Sequence, residues 1–190
     1  MDALCNRTIE EGAFSRFMIR RIAAGDRKVM LHVNQWLAPK WIRAWMLGAS
    51  RAGDGWLWVA LGLVVLVFGG ERRFDALDAG FLSVGAGLAT FLILKRITGR
   101  ERPCAMEAHC WSSLLPPDRY SFPSGHTITA FAVAMTFGLF YPSLLAGLLF
   151  CAVSVAASRI VLGLHYLSDV LAGVVIGGGL GLAAYLWVVP

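Results

Sequence analysis

Apolar residues in this chain fall in long blocks, not at the alternating or three-to-four-residue spacing of a water-soluble core. The first block runs over about 55–70 (GWLWVALGLVVLVFGG) and the second over about 76–94 (ALDAGFLSVGAGLATFLIL). A pair occupies about 126–158, folded back at Tyr141-Pro142-Ser143, and the last block covers about 167–189. Crossing the hydrocarbon takes roughly twenty helical residues, and several blocks are shorter, so flanking turns must extend them. Glycines at positions 80, 85, 87, 173, 177, 178, 179 and 181 suit close helix–helix contact. Ahead of the blocks, Phe14, Phe17, Met18 and Ile22 recur at helical spacing, with Arg16, Arg20 and Arg27 on other faces. Trp36, Trp41 and Trp45 then alternate with Lys40 and Arg43, a mixture suited to the headgroup region, and Pro39 breaks this stretch in two. The pattern predicts an all-α, polytopic membrane helix bundle of about five spans, or six if residues 29–50 also cross. Residues 1–54 form an amphipathic, interfacial region and 55–190 the membrane-embedded domain.

Composition agrees. Of 190 residues, 57% are hydrophobic and 15% charged, against nearer half and a quarter in soluble domains; mean hydropathy is +0.65. The net charge of +5 comes without a nucleic-acid-binding motif, so the basic residues point to the bilayer surface or an anionic lipid headgroup. Arg16, Arg20 and Arg21 interrupt the N-terminal region, which has no signal-peptide pattern. Of four cysteines, Cys151 lies in an apolar run and Cys5 near the terminus. Cys104 and Cys110 share a polar loop with His109, but no fourth ligand stands at a usual zinc spacing. A disulfide between them needs an oxidising compartment. The acidic residues do not cluster, so no metal site is expected; Asp54 and Asp78, isolated near span ends, read as structural.

Two polar segments, 95–123 and 159–166, open on the same side of the membrane when crossings are counted. They carry Lys95–Pro103 (KRITGRERP), Phe122–His126 (FPSGH) and Ser158–Asp169 (SRIVLGLHYLSD). Lys95, Arg102 and Arg159 supply three positive charges, and an arginine grips phosphate with paired hydrogen bonds. Ionisable groups at the edge of hydrocarbon mark a site by default. Ser124, Gly125 and His126 follow a proline and open a helix, whose free N–H groups cradle an anion. His165 and Asp169 lie four apart, hence on one helical face if the last span begins near them, where a carboxylate can hold Nδ1–H and leave Nε2 as a directed lone pair. That is a nucleophile with its orienting group. His126 is then available as general acid for the leaving oxygen.

The three groups match K-x6-R-P, P-S-G-H and S-R-x5-H-x3-D, and in this the chain resembles the type 2 phosphatidic acid phosphatase superfamily. The resemblance implies that Lys95, Arg102, Ser124, Gly125 and Arg159 bind phosphate. It further implies that His165 becomes phosphorylated, that Asp169 orients it and that His126 protonates the leaving group. No metal or cofactor is implied, and the expected partners are a membrane lipid phosphate and the bilayer. Phosphatidic acid, phosphatidylglycerophosphate, an isoprenyl pyrophosphate and a saccharolipid phosphate all fit. Two rival readings are a phosphotransferase that passes the same phosphohistidine to a lipid alcohol, and a non-catalytic membrane binding protein. Many relatives have a span before the amphipathic region, and by the pattern of apolar blocks none is expected ahead of it in this sequence.

The resemblance implies an inner-membrane protein of bacteria with its site on the periplasmic face, and that reading is adopted. Charge points the other way. Nine Lys and Arg between residues 7 and 51 lie on the site's side if that region does not cross, against Arg72 and Arg73 opposite.

Overall fold

The computed structural model describes residues 21–33, 35–36, 38–103 and 119–189. Helix α1 covers 21–33, α2 Lys40–Ala52, α3 Trp56–Phe68, α4 Arg73–Thr98, α5 Gly125–Phe140, α6 Leu145–Val161 and α7 Leu167–Val188. Short 3-10 turns, Gly70–Arg72 and Pro142–Leu144, lead into α4 and α6. Every apolar block of the sequence has become a helix, and the chain is an all-α membrane bundle. The second block extends in both directions, to 26 residues in α4.

Among the described residues three stretches are long and apolar enough to cross a membrane: Gly70–Thr98, Pro142–Val161 and Leu167–Val188. Helix α3 follows α2 across a bend of 61°. Helix α5 has only 16 residues, but its position explains why this is sufficient. Ile128, Ala130, Ala132, Val133, Ala134 and Phe137 are all buried, so α5 is surrounded by protein and need not match the bilayer by itself. Its principal neighbours are α4, α6 and α7.

Glycine sets the closeness of α5 and α7. A Cβ on Gly173 would lie 2.9 Å from Thr127 Cβ, and one on Gly181 2.6 Å from the Ala132 carbonyl oxygen. One on Gly177 would run into the Ile128 carbonyl. Small residues four apart allow this backbone approach, which in lipid replaces the hydrophobic drive that water would provide. Gly80 and Gly87 do the same on α4, against Phe137 and Ile128. Gly85, Gly178 and Gly179 meet nothing within 4 Å. The expectation of close contact fails for these three, because they lie off the inward face.

Helix α2 runs across one end of the bundle. Ala38, just before it, and Met46 and Leu47 within it pack on Leu162 and Leu164, while Ser50 near its far end bonds Arg159. Both ends of α2 therefore lie at the α6–α7 connection, and the helix does not pass through to the other side. Trp41 is 63% exposed, as an aromatic anchor in a headgroup layer would be. Contacts thus cross residue 54 freely.

The same end collects the polar segments. Helix α4 stops at Gly99, whose φ of 56° is left-handed and turns the chain toward Arg100 and Arg102. The two ends of the long segment are pinned together, Ser121 N–H donating to the Arg100 carbonyl at 2.7 Å. Gly163, at φ 66°, makes the sharp turn between α6 and α7. The segment before residue 21 and the group Cys104, His109 and Cys110 lie outside the described residues.

Candidate active site

The turn after α6 holds His165. The Arg159 carbonyl accepts the N–H groups of both Leu164 and His165 at 3.0 Å, which fixes the backbone under the ring. The imidazole is buried, at 2% side-chain exposure. Its Nε2 lies 3.0 Å from Arg102 Nη1, which also donates to the Leu164 carbonyl at 2.8 Å. A guanidinium has donors only, so Nε2 must be the acceptor and the ring proton is assigned to Nδ1. Nδ1 faces Asp169 Oδ2 at 3.7 Å. That is a charge contact, longer than a hydrogen bond, and Nδ1 makes no hydrogen bond here. A shift of under an ångström closes it, the kind of tightening expected when a substrate binds.

Asp169 is more firmly held than the ring it faces. Its Oδ2 accepts the Tyr166 N–H at 2.9 Å, a side-chain cap at the start of α7. Its Oδ1 accepts from Arg100 Nη1 at 2.7 Å. Its backbone carbonyl accepts the Ser124 N–H at 3.2 Å, tying the start of α7 to the start of α5.

Burial pushes the His165 imidazole down to about 4; Asp169 opposes the shift, and the charges of Arg102 and Arg159 add to it. The ring is therefore neutral at ordinary pH, with an unprotonated Nε2.

Arg102 and Arg159 are both buried, at 3% and 4% exposure. Arg159 Nη1 donates to Ser50 Oγ at 2.6 Å. The charges of both arginines reach both histidines, so the cations and histidines form one constellation. Ser124 is fully buried and its hydroxyl accepts from Thr127 Oγ1 at 2.9 Å. Gly125 lies under Phe91, where a Cβ would stand 3.2 Å from the ring. Lys95 Nζ sits 4.6 Å above the centre of that same ring. Phe91 thus links Lys95 to the start of α5.

Four further residues belong to this arrangement. Asp54, read from sequence as structural, places Oδ1 2.7 Å from His126 Nε2. Ser50 holds Arg159. Arg100 and Ser168 stand inside the sequence groups beside Arg102 and Asp169, and join each other at 2.7 Å through Arg100 Nη1 and Ser168 Oγ. The signals were slight: a lone carboxylate one residue before an apolar block, and a second arginine two residues before Arg102. Among the described residues no three His, Cys, Asp or Glu side chains converge as metal ligands do.

The chain is similar to known proteins. The chain is 31% identical to the lipid A 1-phosphatase of Rhizobium etli over 141 residues, 64% of this chain and 61% of that protein, so it spans about three fifths of that relative. It is 34% identical to the decaprenylphosphoryl-5-phosphoribose phosphatase of Mycolicibacterium smegmatis over 157 residues, 78% of this chain and 81% of that protein. Its fold is similar to the crystal structure of the transmembrane PAP2-type phosphatidylglycerolphosphate phosphatase of Bacillus subtilis, with TM-score 0.69 and 22% identity over 88% of this chain and 86% of that one. The family model of the PAP2 superfamily matches residues 78–190, a stretch that holds all three motif groups. With that match and this bundle, the chain is an integral membrane protein that belongs to the PAP2 superfamily.

Proposed function

We propose that this protein hydrolyses a lipid phosphate or pyrophosphate through a phosphohistidine on His165, without a metal ion. The observation that carries the reading is the 3.0 Å contact between Arg102 Nη1 and His165 Nε2. It sets the lone pair of a neutral imidazole against a guanidinium in a buried site. A phosphate entering there takes over the Arg102 donor, which frees Nε2 to attack phosphorus while the cation holds a phosphate oxygen.

In the first step the Nε2–P bond forms in line as the bond from phosphorus to the lipid oxygen breaks. His126 gives its proton to that oxygen, and the lipid alcohol or lipid phosphate departs. His126, now a base, takes a proton from water, whose oxygen attacks phosphorus and breaks the P–N bond. Inorganic phosphate leaves, Nε2 recovers its lone pair and His126 its proton. Arg102, Arg159 and Lys95 offset charge on the phosphoryl oxygens, and positioning with charge neutralisation is most of what phosphoryl transfer requires.

The relatives are named for a lipid A phosphate, a decaprenyl-linked phosphoribose phosphate and phosphatidylglycerolphosphate. Their shared feature is a phosphate monoester on a large lipid, and this is the substrate class proposed here. Phosphate release from a panel of phosphatidic acid, phosphatidylglycerophosphate, an isoprenyl pyrophosphate and a saccharolipid phosphate tests it. Release from none of them, with the protein folded in detergent, would refute the reading.

The His165 value sets a pH expectation. A ring with its usual value near 6.5 would lose its nucleophilic form as pH falls from 7 to 5; one held at about 4 stays neutral over that range. Phosphoenzyme formation, measured by rapid quench with an aryl phosphate and corrected for substrate ionisation, should keep its rate from pH 7 down to pH 5. It should fall only as pH approaches 4. An acid limb near 6.5 would contradict the buried, cation-flanked ring.

Our reading sets the site on the periplasmic face, following the family resemblance. One observation favours the other face: both ends of α2 lie at the site end, so its basic residues remain on that side, as cytoplasmic segments do. A C-terminal reporter decides, fluorescing as GFP if the site is periplasmic and active as alkaline phosphatase if it is cytoplasmic.

A further inference from the structure

We propose that Asp26, on the N-terminal helix, is a positioning residue for the nucleophile, acting through Arg100 and Ser168 on Asp169. The proposal rests on the reading of His165 as the nucleophile.

Asp26 lies far from the three motif groups in sequence, in an otherwise basic stretch. Its side chain is 4% exposed, and a buried carboxylate is costly unless paired. All its contacts run to the segment behind His165. Oδ2 accepts from Arg100 Nη2 at 2.7 Å and from Ser168 Oγ at 2.5 Å, and Oδ1 accepts the Ser168 N–H at 2.9 Å. That N–H belongs to the first turn of α7, where no helical carbonyl is available. Asp26 thus satisfies, from another helix, the same turn that Asp169 begins.

The donors fix the direction of every bond. Arg100 can only donate, so Ser168 Oγ accepts from Nη1 and must spend its single proton on Asp26. Arg100 then bridges two carboxylates, Nη2 on Asp26 and Nη1 on Asp169. Its guanidinium lies 4.1 Å from the centre of the Tyr166 ring, which limits sideways movement. Without Asp26 the guanidinium keeps one carboxylate partner of the two, Asp169, and loses the counter-pull that centres it between them. The 3.7 Å gap between Asp169 Oδ2 and His165 Nδ1 is the distance this network regulates. Helix α1 therefore does more than rest on the membrane surface: it closes the back of the site.

A docking role alone would alter stability and leave chemistry intact, so the test reads chemistry. Asp26→Asn keeps the size but turns a donor toward Arg100 and Ser168. Arg100→Lys keeps the charge but cannot bridge two carboxylates. In the full-length protein, each should slow phosphoenzyme formation by roughly 10–100-fold, by analogy with the loss when a hydrogen-bond partner behind a metal-bound histidine is removed, with KM within about twofold. The double variant should be no slower than the worse single one, since both break one network. Ser168→Ala, a smaller change, should give a smaller loss of the same kind. Wild-type rates of phosphoenzyme formation in folded Asp26→Asn or Ser168→Ala would overturn the proposal, as would fully additive losses in the double variant. Absence of a phosphohistidine in the wild type would instead overturn the functional reading beneath it.

Discussion

Replacing His165 with alanine lowers turnover on the order of 10⁶-fold, to the level of substrate hydrolysis assisted only by binding. Losses of this size follow removal of the group that forms the covalent intermediate. The structure gives a reason to expect the full effect. The ring is buried among Arg102, Leu164 and Asp169. His126, the other candidate, has its Nε2 on Asp54 at 2.7 Å. The measurement is phosphate release by purified His165→Ala protein, with thermal unfolding in detergent showing that the fold is kept. Removing a buried imidazole leaves a small cavity at the loop, not in the helix contacts that hold the bundle together. Activity within tenfold of wild type would rule out His165 as nucleophile.

His126→Ala has the second largest effect, and its size depends on the leaving group. General acid catalysis is worth about 10²–10⁴-fold when the departing oxygen is poor at carrying charge, as a lipid alkoxide is. With nitrophenyl phosphate, whose leaving group needs no proton, the variant should form phosphoenzyme at a rate near wild type and then hydrolyse it slowly, because water has lost its base. Comparing the two substrates by rapid quench checks this. An equal loss of phosphoenzyme formation with both would assign His126 to phosphate binding. The Asp54 contact bears on the same step: with its carboxylate on Nε2, His126 is held at the start of α5, facing the cations, before substrate arrives.

Much of this was legible in the chain because it is local. Four-residue spacing between His165 and Asp169 brought the two together in the sequence; in the fold His165 lies in the turn two residues before α7, and its Nδ1 still faces Asp169 at 3.7 Å. The apolar blocks gave the helices because each is read within one segment, and the break at Tyr141-Pro142-Ser143 is where α5 stops. The N-terminal contributions were hidden for the opposite reason. Asp26, Ser50 and Asp54 reach the site only because the chain brings them to the first turn of α7, the end of α6 and the start of α5, and no spacing rule encodes a contact made across more than seventy residues. Arg100 and Ser168 were in view but shared their segments with residues of a recognisable pattern. The glycines mark a middle case. Gly173, Gly177 and Gly181 are four apart and so face one way, and that arithmetic alone separates them from Gly178 and Gly179, which point elsewhere. For Asp54 the isolation of the residue in sequence suggested a structural role, whereas in the fold its Oδ1 meets His126 Nε2 at 2.7 Å.

The most direct test of a metal-free phosphohistidine mechanism is acid–base mapping of a trapped intermediate. Purified protein is mixed with a labelled lipid phosphate in excess chelator, quenched within the first turnover, digested and sequenced. The expected result is a phosphate that is labile in acid and stable in base, carried by the peptide containing His165, formed as fast with chelator as without. It should be absent from His165→Ala. Turnover without any labelled peptide, or activity lost to chelator and restored by magnesium or zinc, would contradict it.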